Sequence, residues 1–257
     1  VTLPQYLYQH VGPLLLLLAR VGGLFIFAPL LSSGMLPPKV KALLLFMLTL
    51  SIYPLVGRLP EAPADIVALA SCTAFEMMIG MTLGLLAALP LYAAQLGGQL
   101  IDHQVGMGLA HVYNPALDAD STVIADMILN IAIALFLTLG GLEALLVGVA
   151  RSVQAVPLGA ANLAASPLDL VTSLITSGFE LALRVAAPVL GVILLETVAS
   201  AVVSKTIPQI NIMSIGFAIK IVAGVSTLIL ALPAVADAVS GAVSSGLGVM
   251  LQWASGR

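Results

Sequence analysis

The sequence predicts an all-α protein of the membrane type, built of kinked helices and helical hairpins, and three observations predict it. Of its 257 residues 60% are hydrophobic and only 8% are charged, with a mean hydropathy of +1.14. The apolar residues gather into six runs, near 11–31, 42–57, 66–101, 123–149, 170–203 and 207–236, each bounded by polar or turn residues. Prolines and charges interrupt those runs more often than straight lipid-facing rods would allow. A soluble domain carries about 25% charged residues, so this chain cannot cover a water-facing surface alone. A bilayer or a larger, mostly apolar assembly must surround it.

Each run carries its own signature. The first sets Leu14 to Leu18 beside Arg20, between Pro13 and Pro29. A central charge costs about 2.5–3.5 kcal/mol on insertion scales and a Leu or Ile returns roughly 0.5. The leucines therefore offset Arg20, which still needs a protein partner or a water path. The second run is short for a crossing and holds Pro54. The third has 36 residues, against the roughly 20 that span a hydrocarbon core. It predicts a helix continuing beyond a membrane, or two helices in series. It also carries Glu76, Pro90, Gly80-xxx-Gly84 and Gly97-Gly98, small residues that let helix backbones approach closely. The fourth contains Asp126 and Glu143. The fifth contains Pro188, Glu196, and Glu180 with Arg184 at i,i+4, the order in which such a pair supports a helix face. The sixth holds Pro208, Lys220 and Pro233, and a tail of small residues, 237–257, follows it. Each proline removes a backbone donor and frees a carbonyl that must find a partner, which predicts kinked or interrupted helices packed in protein.

Several function classes are excluded by the same counts. A net charge of −3 without a basic run leaves no electrostatic footprint for nucleic acid. A lone cysteine, Cys72, allows no internal disulfide and no cysteine-rich metal site. No Lys or Arg lies in residues 1–19 and no cleavage-like site follows, so no removable signal peptide is expected. If all six runs crossed, Lys39, Lys41 and Lys205 would lie on one side and Arg58, Arg151 and Arg257 on the other. Loop charge then sets no orientation. No nucleophile elbow, Walker loop, dinucleotide fingerprint or metalloprotease pattern is present. The chain does not read as an enzyme, and no cofactor is expected.

The segment 99–122 breaks the pattern, with two of the three histidines, three of the twelve acids, Gly106, Gly108 and Pro115. Glycine, Asn-Pro and Asp argue for an irregular loop near 108–121, and Asp120-Ser121 suits the cap of a helix beginning near Thr122. Three readings fit this segment: a solvated connection, a metal site from His103, His111, Asp118 and Asp120, or a gate. Metal ligation lacks any supporting motif, since the histidines stand eight apart. A gate would use glycine flexibility and the bulk of Met107, Leu109 and Tyr113.

Two stretches resemble the flagellar biosynthetic protein FliR family and its counterparts in type III secretion export gates. One runs from Gly97-Gly98-Gln99-Leu100-Ile101 through Gln104-Val105-Gly106 and Asn114-Pro115, then Ala134-Leu135-Phe136-Leu137 and Gly140-Gly141, to Val156-Pro157-Leu158-Gly159. The other, more specific, is Pro208-Gln209-Ile210-Asn211-Ile212-Met213 followed by Gly216-Phe217 and Lys220. Ala28-Pro29-Leu30-Leu31-Ser32-Ser33, with Pro37 and Lys39, fits as well. Asn114, Leu142 and Lys205 depart from the residues common at those places.

The resemblance implies a non-enzymatic subunit of an export gate in the bacterial inner membrane, at the flagellar basal body. Such a subunit packs in a hetero-oligomeric spiral with FliP-like and FliQ-like subunits, beside an FlhB-like partner, and passes unfolded export substrates. It implies a FliP-like part over 1–166 and a FliQ-like hairpin and tail over 167–257. It makes residues near 105–121 a plug, with Gly106, Met107, Gly108, Leu109, His111, Tyr113, Asn114 and Pro115 as candidate gate residues and Leu109 beside a methionine ring. Gln104, Pro157, Gly159, Pro208, Gln209, Asn211, Gly216 and Lys220 become candidate motif and subunit-packing residues. Many helices would then be raised out of the bilayer plane, which would account for runs too long, broken and charged for lipid. The rival reading is a small-solute secondary transporter, which would show two halves of similar length. The equivalent subunit of a virulence injectisome is the nearer alternative.

Overall fold

The computed structural model describes residues 3–32, 34, 36–56, 66–106, 122–160, 168–206 and 212–256. Among them are seven α-helices: α1 (Leu3–Phe27), α2 (Pro38–Ile52), α3 (Ile66–Val105), α4 (Val123–Thr138), α5 (Gly141–Ala155), α6 (Leu168–Thr206) and α7 (Ile212–Ala254). A 3-10 turn, Tyr53–Leu55, prolongs α2. By length and composition five helices are able to cross a membrane, or six if α4 and α5, bent by 62° at their junction, count as one span.

The apolar runs became helices. The third run is one helix of 40 residues through Pro90, a single helix as one of its two predicted forms has it. More generally Pro13, Pro90, Pro188 and Pro233 all lie inside continuing helices, so none of the four interrupts its helix. The fourth run is broken where a single run was read, because Gly140 takes φ +73°, a left-handed conformation that ends a helix. The small-residue tail is the last part of α7, and a buried row explains why. Val235, Val239, Val243, Leu247, Met250 and Ala254 are all buried, three or four residues apart, so they form one helix face. Glycines and serines between them hid that period.

The chain divides into two compact units, one of Val1–Leu89, Phe136–Leu174 and Ser244–Arg257, the other of Pro90–Leu135 and Ile175–Val243. In the first, Leu16, Leu17, Val21 and Leu24 of α1 are buried with Leu83 and Leu86 of α3 and Leu145 and Val149 of α5. The Gly80-xxx-Gly84 spacing works within the chain. A Cβ on Gly80 would overlap the Arg20 carbonyl, and one on Gly84 would come 2.8 Å from the Leu24 carbonyl oxygen. In the second unit the core is formed by Ile101 and Val105 of α3, Ala125 and Ile128 of α4, and Val185, Val189 and Ile193 of α6. A Cβ on Gly97 would lie 2.8 Å from the Ala182 carbonyl oxygen, so α3 and α6 also meet backbone to backbone.

Candidate functional site

The segment with the gate signature leaves α3 at Gly106 and returns at Thr122, and both ends are anchored by one residue. Gly106 has φ +89°, and its N–H donates to the Asp102 carbonyl at 3.1 Å. That left-handed stop suits glycine. The Asp102 side chain, 2% exposed, reaches across to the start of α4. Its Oδ1 accepts the Ile124 N–H at 3.2 Å and its Oδ2 the Ala125 N–H at 2.9 Å. These are orphan donors of a helix N-terminus, so a carboxylate from α3 caps α4 and its charge is favourable there. Gly98, one helical turn before Asp102, makes the approach possible, because a Cβ at that position would strike the Ala125 backbone. Asp120 and Ser121, read as the cap from sequence, lie outside the described residues. Asp126 and Asn130 stand on the exposed side of α4 along an open groove of about 630 Å³, with Met127 and Ala134.

Of the candidate gate residues Gly106 is described; Met107, Gly108, Leu109, His111, Tyr113, Asn114 and Pro115 lie outside the described residues. So do Pro208, Gln209 and Asn211. Gln104 is exposed in the last turn of α3. Gly216 faces α6, where a Cβ would lie 3.7 Å from Ser200 Oγ and 3.9 Å from Glu196 Oε1. Lys220, one turn on, is half-buried. Among the described residues no three His, Cys, Asp or Glu side chains gather as a metal site would require.

The remaining motif residues, Pro157 and Gly159, meet a network that sequence spacing did not reveal. Arg20 of α1 and Glu76 of α3 are both fully buried and paired, Nε to Oε2, at 2.5 Å. Arg20 Nη1 donates to Ser152 Oγ at 3.3 Å and Nη2 to the Val156 carbonyl at 3.0 Å. Glu76 Oε1 accepts the Gly159 N–H at 2.9 Å. The ion pair thus holds the turn after α5 at two points. That turn closes with the Ala160 N–H on the Pro157 carbonyl at 3.1 Å and places Gly159 at φ +77°, the third position of a type II turn, where glycine is favoured. Pro157 itself is exposed, and Leu158 is buried beneath it. The available signal was only that Arg20 and Glu76 each sit deep in an apolar run. Glu180 and Arg184 do pair as their spacing predicts, at 2.7 Å, but on the surface.

Comparison with known proteins gives this geometry a setting. The chain matches the family described as "Bacterial export proteins, family 1" over residues 11–246. It is 28% identical over 237 residues to the flagellar biosynthetic protein FliR of Escherichia coli K12, covering 90% of this chain and 87% of that one. It is 30% identical over 216 residues to the surface presentation of antigens protein SpaR of Salmonella typhimurium LT2, covering 83% and 80%. Yop proteins translocation protein T of Yersinia pestis is 26% identical over 208 residues, covering 80% of each chain.

Proposed function

The chain belongs to family 1 of the bacterial export proteins, and we propose that within it this protein is a core subunit of the flagellar type III protein export gate. As a member of a non-enzymatic family it has partners in the secretion apparatus. The proposed partners are FliP-like and FliQ-like subunits forming one helical channel, with an FlhB-like protein beside it, in the inner membrane at the flagellar basal body. Residues 1–166 would take the FliP-like place and 167–257 the FliQ-like place, many of their helices raised above the bilayer plane. Unfolded flagellar subunits would pass through the channel.

The observation that carries the reading is the family match across 11–246, together with likeness to flagellar FliR over nine-tenths of the chain. The gate reading of 105–121 is supported by its frame, since Asp102 holds one end through its backbone carbonyl and the other through its buried carboxylate. An injectisome subunit is the second reading, favoured by the 30% identity to SpaR. Deleting the gene distinguishes them. Loss of flagellar filaments is the expected result, whereas normal filaments with lost effector secretion favour the injectisome. A finer test uses Gly106→Val, which forces a β-branched residue into a left-handed conformation. It is expected to lower export while the complex still assembles, as checked by secreted filament protein and by co-purification. Gly108→Val is expected to act in the same direction. Unchanged export in both would sink the moving-plug reading.

A further inference from the structure

We propose that α2 is a lipid-facing element of this chain, its outer flank seated in phospholipid acyl chains with Lys39 and Lys41 at anionic head groups. The inference deepens the gate reading, on which it rests only for a membrane location. It names a part of a subunit otherwise packed against protein that meets the bilayer directly.

Length is the first reason. Fifteen helical residues and three of 3-10 turn rise about 28 Å, close to the roughly 30 Å of a hydrocarbon core. By the same measure α3, α6 and α7, with 40, 39 and 43 residues, are each about 60 Å long. Among the described residues two apolar stretches of 18 residues match the core, His10–Phe27 of α1 and Pro38–Leu55, and the second is much the less buried.

The side chains give the second reason. Leu45 faces Gly22 of α1, and Thr49 and Ile52, next on the same stripe, are buried. The rest of the circumference is free and apolar, with Leu43 57% and Met47 54% exposed, and Leu44, Phe46 and Leu50 exposed beside them. Helices that associate in membranes do so through small residues, and this chain follows that rule where α1 meets α3, at Gly23, Gly80 and Gly84. The outer flank of α2 is instead surfaced by bulky side chains that resist close helix approach. Acyl chains accommodate such a surface without the close backbone approach that small residues permit.

Charge supplies the third reason. The only charges on α2 are Lys39 and Lys41, both in its first turn, where no acid accompanies them. Cations at a helix N-terminus oppose the macrodipole, so they do not serve the helix itself. An anionic phosphate offsets both. Lys39 is exposed, and Lys41 Nζ donates to the Ser32 carbonyl at 3.2 Å, holding its ammonium at that end. At the opposite end Tyr53 Oη lies 2.6 Å from His10 Nδ1, an aromatic with a polar tip where membrane interfaces favour one.

The test labels Leu43→Cys, Phe46→Cys and Met47→Cys, one at a time in a Cys72→Ser background, with a nitroxide. The labelled chain is studied in its native complex, in vesicles of phosphatidylethanolamine and phosphatidylglycerol. Strong relaxation by oxygen with weak relaxation by a water-soluble nickel chelate is the expected result. Weak relaxation by both would show a protein partner over the flank, and strong relaxation by nickel would show water; either overturns the proposal. Lys39→Gln with Lys41→Gln should lower phosphatidylglycerol retained by the complex, read by native mass spectrometry, by about fivefold per lysine. Unchanged retention would overturn the head-group assignment. Neither readout passes through secretion, so failure here is distinct from failure of the gate reading.

Discussion

A Glu76→Ala chain is expected to lose about 3–5 kcal/mol of folding stability, because the substitution leaves Arg20 charged, buried and unpaired. Arg20 is fully enclosed by α1, α3 and α5, so no water replaces the lost carboxylate. The damage spreads to the 157–160 turn, whose Gly159 N–H loses its acceptor. Thermal unfolding of the detergent-purified protein measures the loss, and hydrogen exchange at Gly159 reports the turn. Glu180→Ala is the matched control. Its pair with Arg184 is two-thirds exposed on both sides, and such i,i+4 pairs contribute only about 0.3–0.5 kcal/mol. The double substitution Arg20→Met with Glu76→Leu should recover most of the loss, since exchanging a whole buried pair for apolar groups is often neutral. Recovery stays incomplete, because the Gly159 N–H and the Val156 carbonyl then lack partners. A Glu76→Ala protein as stable as the parent would refute the account.

That contrast shows what was legible in the sequence. Glu180 and Arg184 are four apart, and one helical turn is enough to predict their contact. Arg20 and Glu76 are 56 apart, and nothing local joins them; what could be read was only that each charge, set in an apolar run, requires a partner. Composition and run length likewise reveal helices, because burying apolar surface depends on residue type, not on partner. They do not reveal breaks that depend on one left-handed residue, as at Gly140, nor a helix face diluted by small residues, as between Val235 and Ala254. Prolines predict kinked or interrupted helices, and at four of them no interruption follows. All four sit inside helices that continue, where neighbouring packing outweighs one missing hydrogen bond. In the candidate site the motif residues Pro157 and Gly159 were legible as a resemblance. The reason for Gly159, a positive φ and an amide aimed at Glu76, belongs to tertiary structure alone.

Asp102→Ala is expected to have the second large effect, and it bears on function more directly. The carboxylate makes two charge-assisted bonds to buried amides, and its loss leaves Ile124 and Ala125 donors unsatisfied, at a cost of about 2–3 kcal/mol. Because the Asp102 backbone also accepts the Gly106 N–H, the substitution frees the start of α4 while leaving the end of α3 in place. One end of the 107–121 segment is then untethered. Faster hydrogen exchange at Ile124 and Ala125 is the structural readout, and raised ion conductance of membranes carrying the assembled complex is the functional one. Asp102→Asn should fall between, since its single carbonyl oxygen keeps one acceptor and loses the charge that favours a helix N-terminus. The competing explanation is the sequence-local cap. If Asp120→Ala or Ser121→Ala loosens those amides and Asp102→Ala does not, the cap belongs to the loop and the clamp from α3 fails. If Asp102→Ala loosens the amides while membranes stay tight, the clamp stands and the segment it holds is a connector, not a seal.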